Sequence, residues 1–405
     1  MNILYITYDG LTDPLGRSQV LPYLCGLADK NHSIVVLSCD KPLNYQKSKD
    51  NVQTIVDNHN IKWISVIYNK KVPIISPLGN IQRMQKKAIE LHHQHHFDIV
   101  HCRSYLASKI GLSLKHKFGL KFIFDMRGFF ADERVDGNVW NLSNPIYYLV
   151  YKYFKYKEKQ FFNQADYIVS LTQAGKNIIQ KQFGILTPIM VIPCCADLDH
   201  FSTNRISENQ QNTLRKQLHL QNSDFVISYV GSLGTWYMLD EMFDFVHLLM
   251  QTKTSVKFLL ITPDNENKIQ KIAQQHQIAL NRIIIRRAER EEVPLYISLS
   301  SISLFFIKPV FSKQASSPTK MGEILSMGSP VIANAGVGDV DAIIKDTNCG
   351  IIVNHFNKNS YLEAIKNIDN ILKSNKSTYI AAAQKYYSLT TGIERYNTIY
   401  QELNK

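Results

Sequence analysis

Short apolar runs alternate with longer mixed segments along most of the chain. Residues 2–8, 33–38, 62–67, 98–101, 121–125, 166–171 and 189–192 read as strands. Between them, segments such as 19–30, 79–96 and 105–117 carry apolar residues at helical spacing. Strands that are apolar throughout, with helices between them, predict βαβ units and a parallel sheet covered on both faces. The alternation pauses over the polar stretch 197–211, which reads as a linker. It then resumes with strand runs at 225–230, 256–262, 282–286, 302–307, 330–334 and 351–353, and helical segments at 239–250, 266–277, 291–299, 319–327 and 360–372. The pattern therefore predicts two doubly wound α/β domains. One covers 1–200 and the other 201–384, with a tyrosine-rich helical tail at about 385–405 packing back onto the first. In such pairs a ligand is expected in a cleft at the carboxyl ends of the two sheets.

Charge narrows the range of partners. The 405 residues include 46 Lys plus Arg against 34 Asp plus Glu, a net charge of +12. That excess favours an anionic partner: nucleic acid, an anionic membrane surface or a phosphorylated small molecule. Six cysteines without CxxC spacing argue against a zinc ribbon or a disulfide framework, and fit a reducing compartment. The first residues, MNILYITYDG, read as a strand and not as a signal peptide, and no apolar run of 18 residues predicts a membrane span. The expected location is cytoplasmic.

Two loops attract attention as anion sites. The first follows the opening strand and contains Asp9, Gly16, Arg17 and Ser18. Gly16 permits close backbone approach, and Ser18 is placed as the cap of the next helix, whose amides favour an anion. There is no GxGxxG, so no dinucleotide cofactor is indicated. The second is the segment 308–334. Ser317 is placed as N-cap and Pro318 as the first helical residue, a strong helix start. The amides of Thr319, Lys320 and Met321 would then face a diphosphate, and Glu323 is placed to accept from the hydroxyls of a ribose.

The stretch SSPTKMGEILSMGSPVIAN resembles the nucleotide-sugar signature of the retaining glycosyltransferases of family 4. Further segments agree in order: YDGLTDPLGRSQVLPYL, FDMRGFFADERVDGNVW, DYIVSLTQAGKNII, VIPCCADLDHF and YVGSLGTWYMLDEM. The resemblance implies a GT-B fold, an acceptor on the first domain, a nucleotide sugar on the second, and no essential metal or cofactor. It makes Glu323 the ribose binder, places Gly16 and Ser232 at the donor phosphates, and sets Arg127 near where many members carry a histidine facing the donor sugar. Two departures stand out. Ala315 replaces the first glutamate of the family's E-x7-E element, and the loop after Val230 lacks the usual basic pair. Lys308, Lys313, Lys320 and Arg127 are the candidate substitutes for the missing cation.

Arg127, Asp125 and Lys308 are the candidates for the chemistry. Asp125 and Arg127 close a predicted strand, with Arg127 expected on phosphate or sugar and Asp125 orienting it. Arg17, Asp132 and Glu133 are candidate acceptor contacts. The cluster Arg286, Arg287 and Arg290 reads as a solvated face. His92, His93, His95, His96 and His101 lack the third ligand of a zinc site and read as a histidine-rich helix end. The segment 145–162 mixes eight aromatic residues with four lysines, which suits a core helix whose outer face touches an anionic membrane. No nucleic-acid module accompanies it.

Together these readings predict transfer of a sugar from a nucleotide-diphosphate sugar to a glycan or polyprenyl-diphosphate-linked acceptor in cell-surface polysaccharide assembly. A sugar-nucleotide 2-epimerase and a catalytically silent binding subunit are the alternatives.

Overall fold

The structure is a computed structural model and describes residues 1–69 and 75–405. The chain divides into two compact units, one of Met1–Cys194 with Leu389–Lys405 and the other of Cys195–Ser388.

In the first unit the chain runs β1 (Asn2–Thr7), α1 (Pro14–Gln19), α2 (Leu21–Ala28), β2 (Ser33–Asp40), α3 (Pro42–Asn58), β3 (Lys62–Ile67), α4 (Ile75–His95) and β4 (Ile99–Arg103). It continues through α5 (Ser104–Phe118), β5 (Lys121–Asp125), α6 (Phe130–Asp136), α7 (Pro145–Gln164), β6 (Tyr167–Ser170), α8 (Gln173–Asn177) and β7 (Ile189–Val191). All seven strands are parallel, in the order β3-β2-β1-β4-β5-β6-β7. The direction of winding reverses between β1 and β4, so a crevice opens at the carboxyl ends of those strands. Ile3, Leu4, Ile6, Val100, Phe122 and Phe124 fill the centre of the sheet.

The second unit contains α9 (Glu208–Gln217), β8 (Phe225–Val230), α10 (Leu239–Thr252), β9 (Val256–Ile261), α11 (Glu266–Gln275), β10 (Ile283–Arg286), α12 (Val293–Ser298) and β11 (Ile302–Phe305). After these come α13 (Thr319–Ser326), β12 (Val331–Asn334), α14 (Val340–Thr347), β13 (Gly350–Val353), α15 (Lys358–Lys366), α16 (Ile368–Ile371) and α17 (Lys376–Tyr387). Its six strands are parallel in the order β10-β9-β8-β11-β12-β13, with the reversal between β8 and β11. The last helix, α18 (Leu389–Leu403), packs on α2 and belongs to the first unit.

Each predicted strand is present, and five local expectations are corrected. The helix expected over 19–30 spans only Leu21–Ala28, and a separate helix, α1, ends before it at Gln19; Pro22 lacks an amide hydrogen, which breaks the run at Val20. Ser18 is therefore not a cap. It lies inside α1 and donates to the Pro14 carbonyl at 2.9 Å. The polar stretch 197–211 is not a free linker but part of the second unit. Phe201 is buried there, and the Ser207 hydroxyl and Gln210 side chain cap α9 reciprocally. The tail is two helices parted at Ser388, and α17 packs on α13 in the second unit. Strand β2 runs two residues beyond expectation because Asp40, at its end, is fully satisfied. Its carboxylate accepts from the Thr12 amide and from the hydroxyls of Thr12, Ser38 and Ser65.

Candidate functional site

At the carboxyl ends of β1, β4 and β5 the first unit gathers a buried polar cluster. Strand register sets Arg103 beside Thr7 on one side and beside Asp125 on the other. Asp125 is buried at the end of β5. Its Oδ2 accepts from the Tyr396 hydroxyl of α18 at 3.0 Å and lies 3.7 Å from His101 Nε2. Its Oδ1 lies 3.7 Å from Arg127 Nη1 and has no hydrogen-bond partner among the described residues. Burial pushes the Asp125 carboxyl up, but Arg127, His101 and Arg103 outweigh it and hold the group below its ordinary value. Burial lowers the value of His101, whose Nδ1 meets the Tyr400 hydroxyl at 2.8 Å, so the imidazole is neutral. Arg127 has a left-handed backbone, φ 58°, which a side chain adopts only when its surroundings hold it there. Its Nη2 contacts Cys194 Sγ at 3.1 Å. Arg103 is buried, with its Nε 3.4 Å from Asp9 Oδ2. His101, grouped by the sequence with a histidine-rich helix end, instead lies on β4, two residues before Arg103. Arg103 was not singled out by the motifs, and the strand register sets it beside Asp125.

The other first-unit candidates lie on α1 and α6. Gly16 lies inside α1 against the loop backbone, where an added Cβ would stand 2.0 Å from the Gly10 carbonyl oxygen. A glycine is required there by packing. Arg17 is exposed on the same short helix. Asp132 is tied to α7, accepting from the Tyr151 hydroxyl at 2.9 Å and from Lys155 Nζ at 2.8 Å. Lys155 also pairs with the buried Glu158, which accepts from Tyr105. That network joins α6 to α7. Glu133 is half-buried on α6.

In the second unit the site forms where β8 ends and α13 begins. Ser317 is not the cap. Pro318 occupies that position with no side-chain bond, and the helix starts at Thr319. The Met321 amide donates to the Pro318 carbonyl at 3.0 Å, and its side chain is in the core. This leaves the amides of Thr319 and Lys320 at the open helix end.

Lys320 is the decisive side chain. It is buried, donates to the Tyr229 hydroxyl at 3.1 Å, and lies 3.5 Å and 4.2 Å from the ring centres of Tyr237 and Tyr229. Its Nζ stands 3.1 Å from where a Cβ on Gly231 would be, at the first residue after β8. An amine from a different element thus lies beside the loop that lacks the basic pair, at the same strand end. Burial drives the Lys320 amine well below its usual value, only partly opposed by Glu323. Ser232 is exposed, and its carbonyl accepts from Tyr229 at 2.6 Å.

Glu323, on the same helix, is 3.5 Å from Arg290 Nη1. Burial pushes its carboxyl up, against Arg290, Lys320 and His200. Arg290 also covers the Phe201 ring, so this arginine does not belong to a purely solvated face. Lys313 is buried against Trp236, 3.6 Å from its ring centre. Lys308 is half-buried, and its amide donates to the Trp236 carbonyl at 2.9 Å. Ala315 is fully buried, an environment in which a glutamate would lack water. The group brings a buried amine and helix amides together with a carboxylate, a set whose chemistry suits an anion and a pair of hydroxyls.

Helix α7 buries Phe161, Phe162 and Glu158 and exposes the opposite stripe. Ile146 is 56% exposed, Leu149 67% and Tyr156 60%, with Tyr148 and Tyr153 between them. Lys152 lies over Tyr148, and Lys157 over Tyr153 and Tyr156. Glu158 is the only acid in the helix and points inward. Among the described residues no helix is long and apolar enough to cross a membrane. His92 and His95 pack on Phe118 and Phe97.

Two parallel-sheet units of this topology define a fold class, GT-B. The model for Glycosyltransferase Family 4 matches residues 22–200, and that for Glycosyl transferases group 1 matches residues 210–385. The chain belongs to this family of glycosyltransferases, with one domain in each unit. Among solved structures it is similar to a sucrose-phosphate synthase from Thermosynechococcus elongatus, with TM-score 0.74 and 14% identity, covering 100% of this chain and 99% of that one. It is also similar to HepE of Anabaena in complex with UDP and glucose, with TM-score 0.71 and 14% identity, covering 99% of both chains. A third is WaaG, a glycosyltransferase involved in lipopolysaccharide biosynthesis, with TM-score 0.64 and 15% identity, covering 96% of this chain and 97% of that one. No curated protein matches the chain significantly in sequence.

Proposed function

We propose that the protein is a retaining glycosyltransferase. It moves a sugar from a nucleotide-diphosphate sugar to a glycan or polyprenyl-diphosphate-linked acceptor, in assembly of a cell-surface polysaccharide at the cytoplasmic face of the membrane. The observation that carries this reading is Lys320, a buried amine with no ion pair to a carboxylate among the described residues, at the end of β8 and the start of α13. A diphosphate is the group whose charge that position lacks. The HepE complexes with UDP and with UDP-glucose support a donor of this chemistry, and WaaG, a glycosyltransferase involved in lipopolysaccharide biosynthesis, supports the pathway class. The outer face of α7 supports contact with an anionic membrane.

In the reaction, the bond between the anomeric carbon and the diphosphate oxygen breaks, and its electron pair leaves with the nucleotide diphosphate. Lys320 and the first amides of α13 stabilise the charge that develops there. The acceptor hydroxyl attacks from the same face and gives its proton to the departing phosphate. No protein nucleophile is required. Glu323 holds the ribose, and Arg127 is the first-unit group for the sugar or its phosphate. The 2-epimerase alternative needs positioned acid and base groups, and Asp132 is already engaged with Tyr151 and Lys155.

The test is thermal unfolding against a panel of UDP, GDP, ADP and CMP sugars, with Glu323→Ala as control. A ligand at about a hundred times its dissociation constant adds about 2.7 kcal/mol. One nucleotide should raise the midpoint, and the control should lose that rise. Product analysis with hydroxyl acceptors then separates transfer from epimerisation, and binding without turnover would favour the silent subunit. No rise with any nucleotide overturns the reading.

A further inference from the structure

We propose that Tyr396, on the C-terminal helix, is a positioning residue for Arg127 and acts through the Asp125 carboxylate. The inference rests on the reading of Arg127 as a site residue. Its geometry belongs wholly to the first unit.

The two oxygens of Asp125 are held unequally. Oδ2 takes the Tyr396 hydroxyl at 3.0 Å, while Oδ1 has only the guanidinium of Arg127, 3.7 Å away and not hydrogen-bonded. The rotation of the carboxylate is therefore set by the tyrosine, and it fixes the oxygen that faces the guanidinium, whose other nitrogen is held by Cys194. A second tyrosine of the same helix supports the arrangement. Tyr400 fixes the His101 ring at Nδ1, which turns Nε2 toward Asp125 Oδ2. The rings of Tyr396 and His101 lie 5.2 Å apart, and Tyr23 closes on Tyr396 at 5.6 Å edge to face. Tyr396 thus has no freedom to follow the carboxylate; the carboxylate must follow it.

Arg127 needs such a hold. Its left-handed backbone is disfavoured for a residue with a side chain, and strain of this kind persists only where surrounding contacts over-determine it. Packing α18 against the sheet would require only an apolar ring at position 396. The hydroxyl is buried, and its hydrogen bond among the described residues goes to Asp125. The last helix thereby reaches the strand end that carries Arg127, a connection no local sequence feature contains.

Tyr396→Phe keeps the ring and its packing and removes only the hydroxyl. Two readouts test it. First, with the donor identified by the nucleotide panel, kcat should fall by about tenfold, since small misplacements of a contacting group are costly. The donor KM should change by less than about twofold. In an Arg127→Ala background the same substitution should have no further effect. Second, without any substrate, amide hydrogen exchange should rise at residues 126–130 and stay unchanged in α18. An equal kcat loss with and without Arg127 overturns the proposal. So does faster exchange across α18 and α2 with residues 126–130 unaltered. If the panel finds no donor, the transferase reading fails, and the exchange experiment still decides the positioning role.

Discussion

A buried lysine beside two tyrosine rings carries a free-energy cost that a bound diphosphate would remove. In the folded protein the Lys320 amine lies well below its ordinary value because of burial. In the unfolded chain it titrates normally. Between those two values the unfolded chain holds a proton that the folded one has released, so this group makes stability rise with pH across that window. Lys320→Met should therefore raise the thermal midpoint at neutral pH, by about 1 kcal/mol or about 2–4 °C. The gain should shrink as pH approaches the lysine's unfolded value. The same variant should lose the stabilisation by donor nucleotide. A lower midpoint at neutral pH would mean the amine is favourably placed without ligand. The sequence named Lys320 as one of four possible substitutes for the missing loop cation. It could not choose among them, because Gly231 and Lys320 meet only when β8 and α13 lie side by side.

The helices show where local pattern and packing part. α13 was legible from its glutamate, its apolar spacing and the glycine after it, and only its cap was misplaced by one residue. Its fit against α17 was not legible. A Cβ on Gly322 would stand 2.6 Å from both Cβ and Cγ of Tyr387. Helix propensity alone favours alanine over glycine by about 1 kcal/mol, whereas overpacking costs about 1–3 kcal/mol. Gly322→Ala should therefore destabilise the second unit and weaken nucleotide binding, because α13 must shift away from α17. Chemical denaturation gives the sign directly, and a more stable variant would contradict the close approach. The break at Val20 and the division of the tail at Ser388 belong to the same scale. Pro22 signals the first in the sequence, while the second follows from which unit each helix packs on.

At the scale of the whole molecule, the charge of +12 and the exposed stripe of α7 act together. Each lysine near an anionic surface contributes about 1 kcal/mol, and Lys152, Lys157 and Lys159 face outward without an acid in their helix beyond the buried Glu158. The protein should co-sediment with phosphatidylglycerol vesicles and not with phosphatidylcholine vesicles. At about 1 M salt, where screening acts over about 3 Å, binding should fall sharply. Leu149→Glu with Tyr156→Glu should abolish it while leaving the unfolding midpoint within about 0.5 kcal/mol of the parent, as exposed substitutions do. Equal sedimentation of this variant would remove α7 from the membrane reading.

The sequence by itself determined the two parallel sheets, since fully apolar strands alternating with amphipathic helices leave few other arrangements. It also determined the family, through motifs held in order along the chain, and the helix that carries Lys320 and Glu323. Tertiary structure decided which residues meet at each strand end. Register placed Arg103 and His101 at Asp125, a helix 271 positions away supplied Tyr396, and Arg290 reached Glu323 from another loop. It also joined the Asp132 carboxylate to Tyr151 and Lys155 of α7. Periodicity reports which face of an element is buried; it carries no record of which other element is buried against it, and that pairing sets the charges of the site.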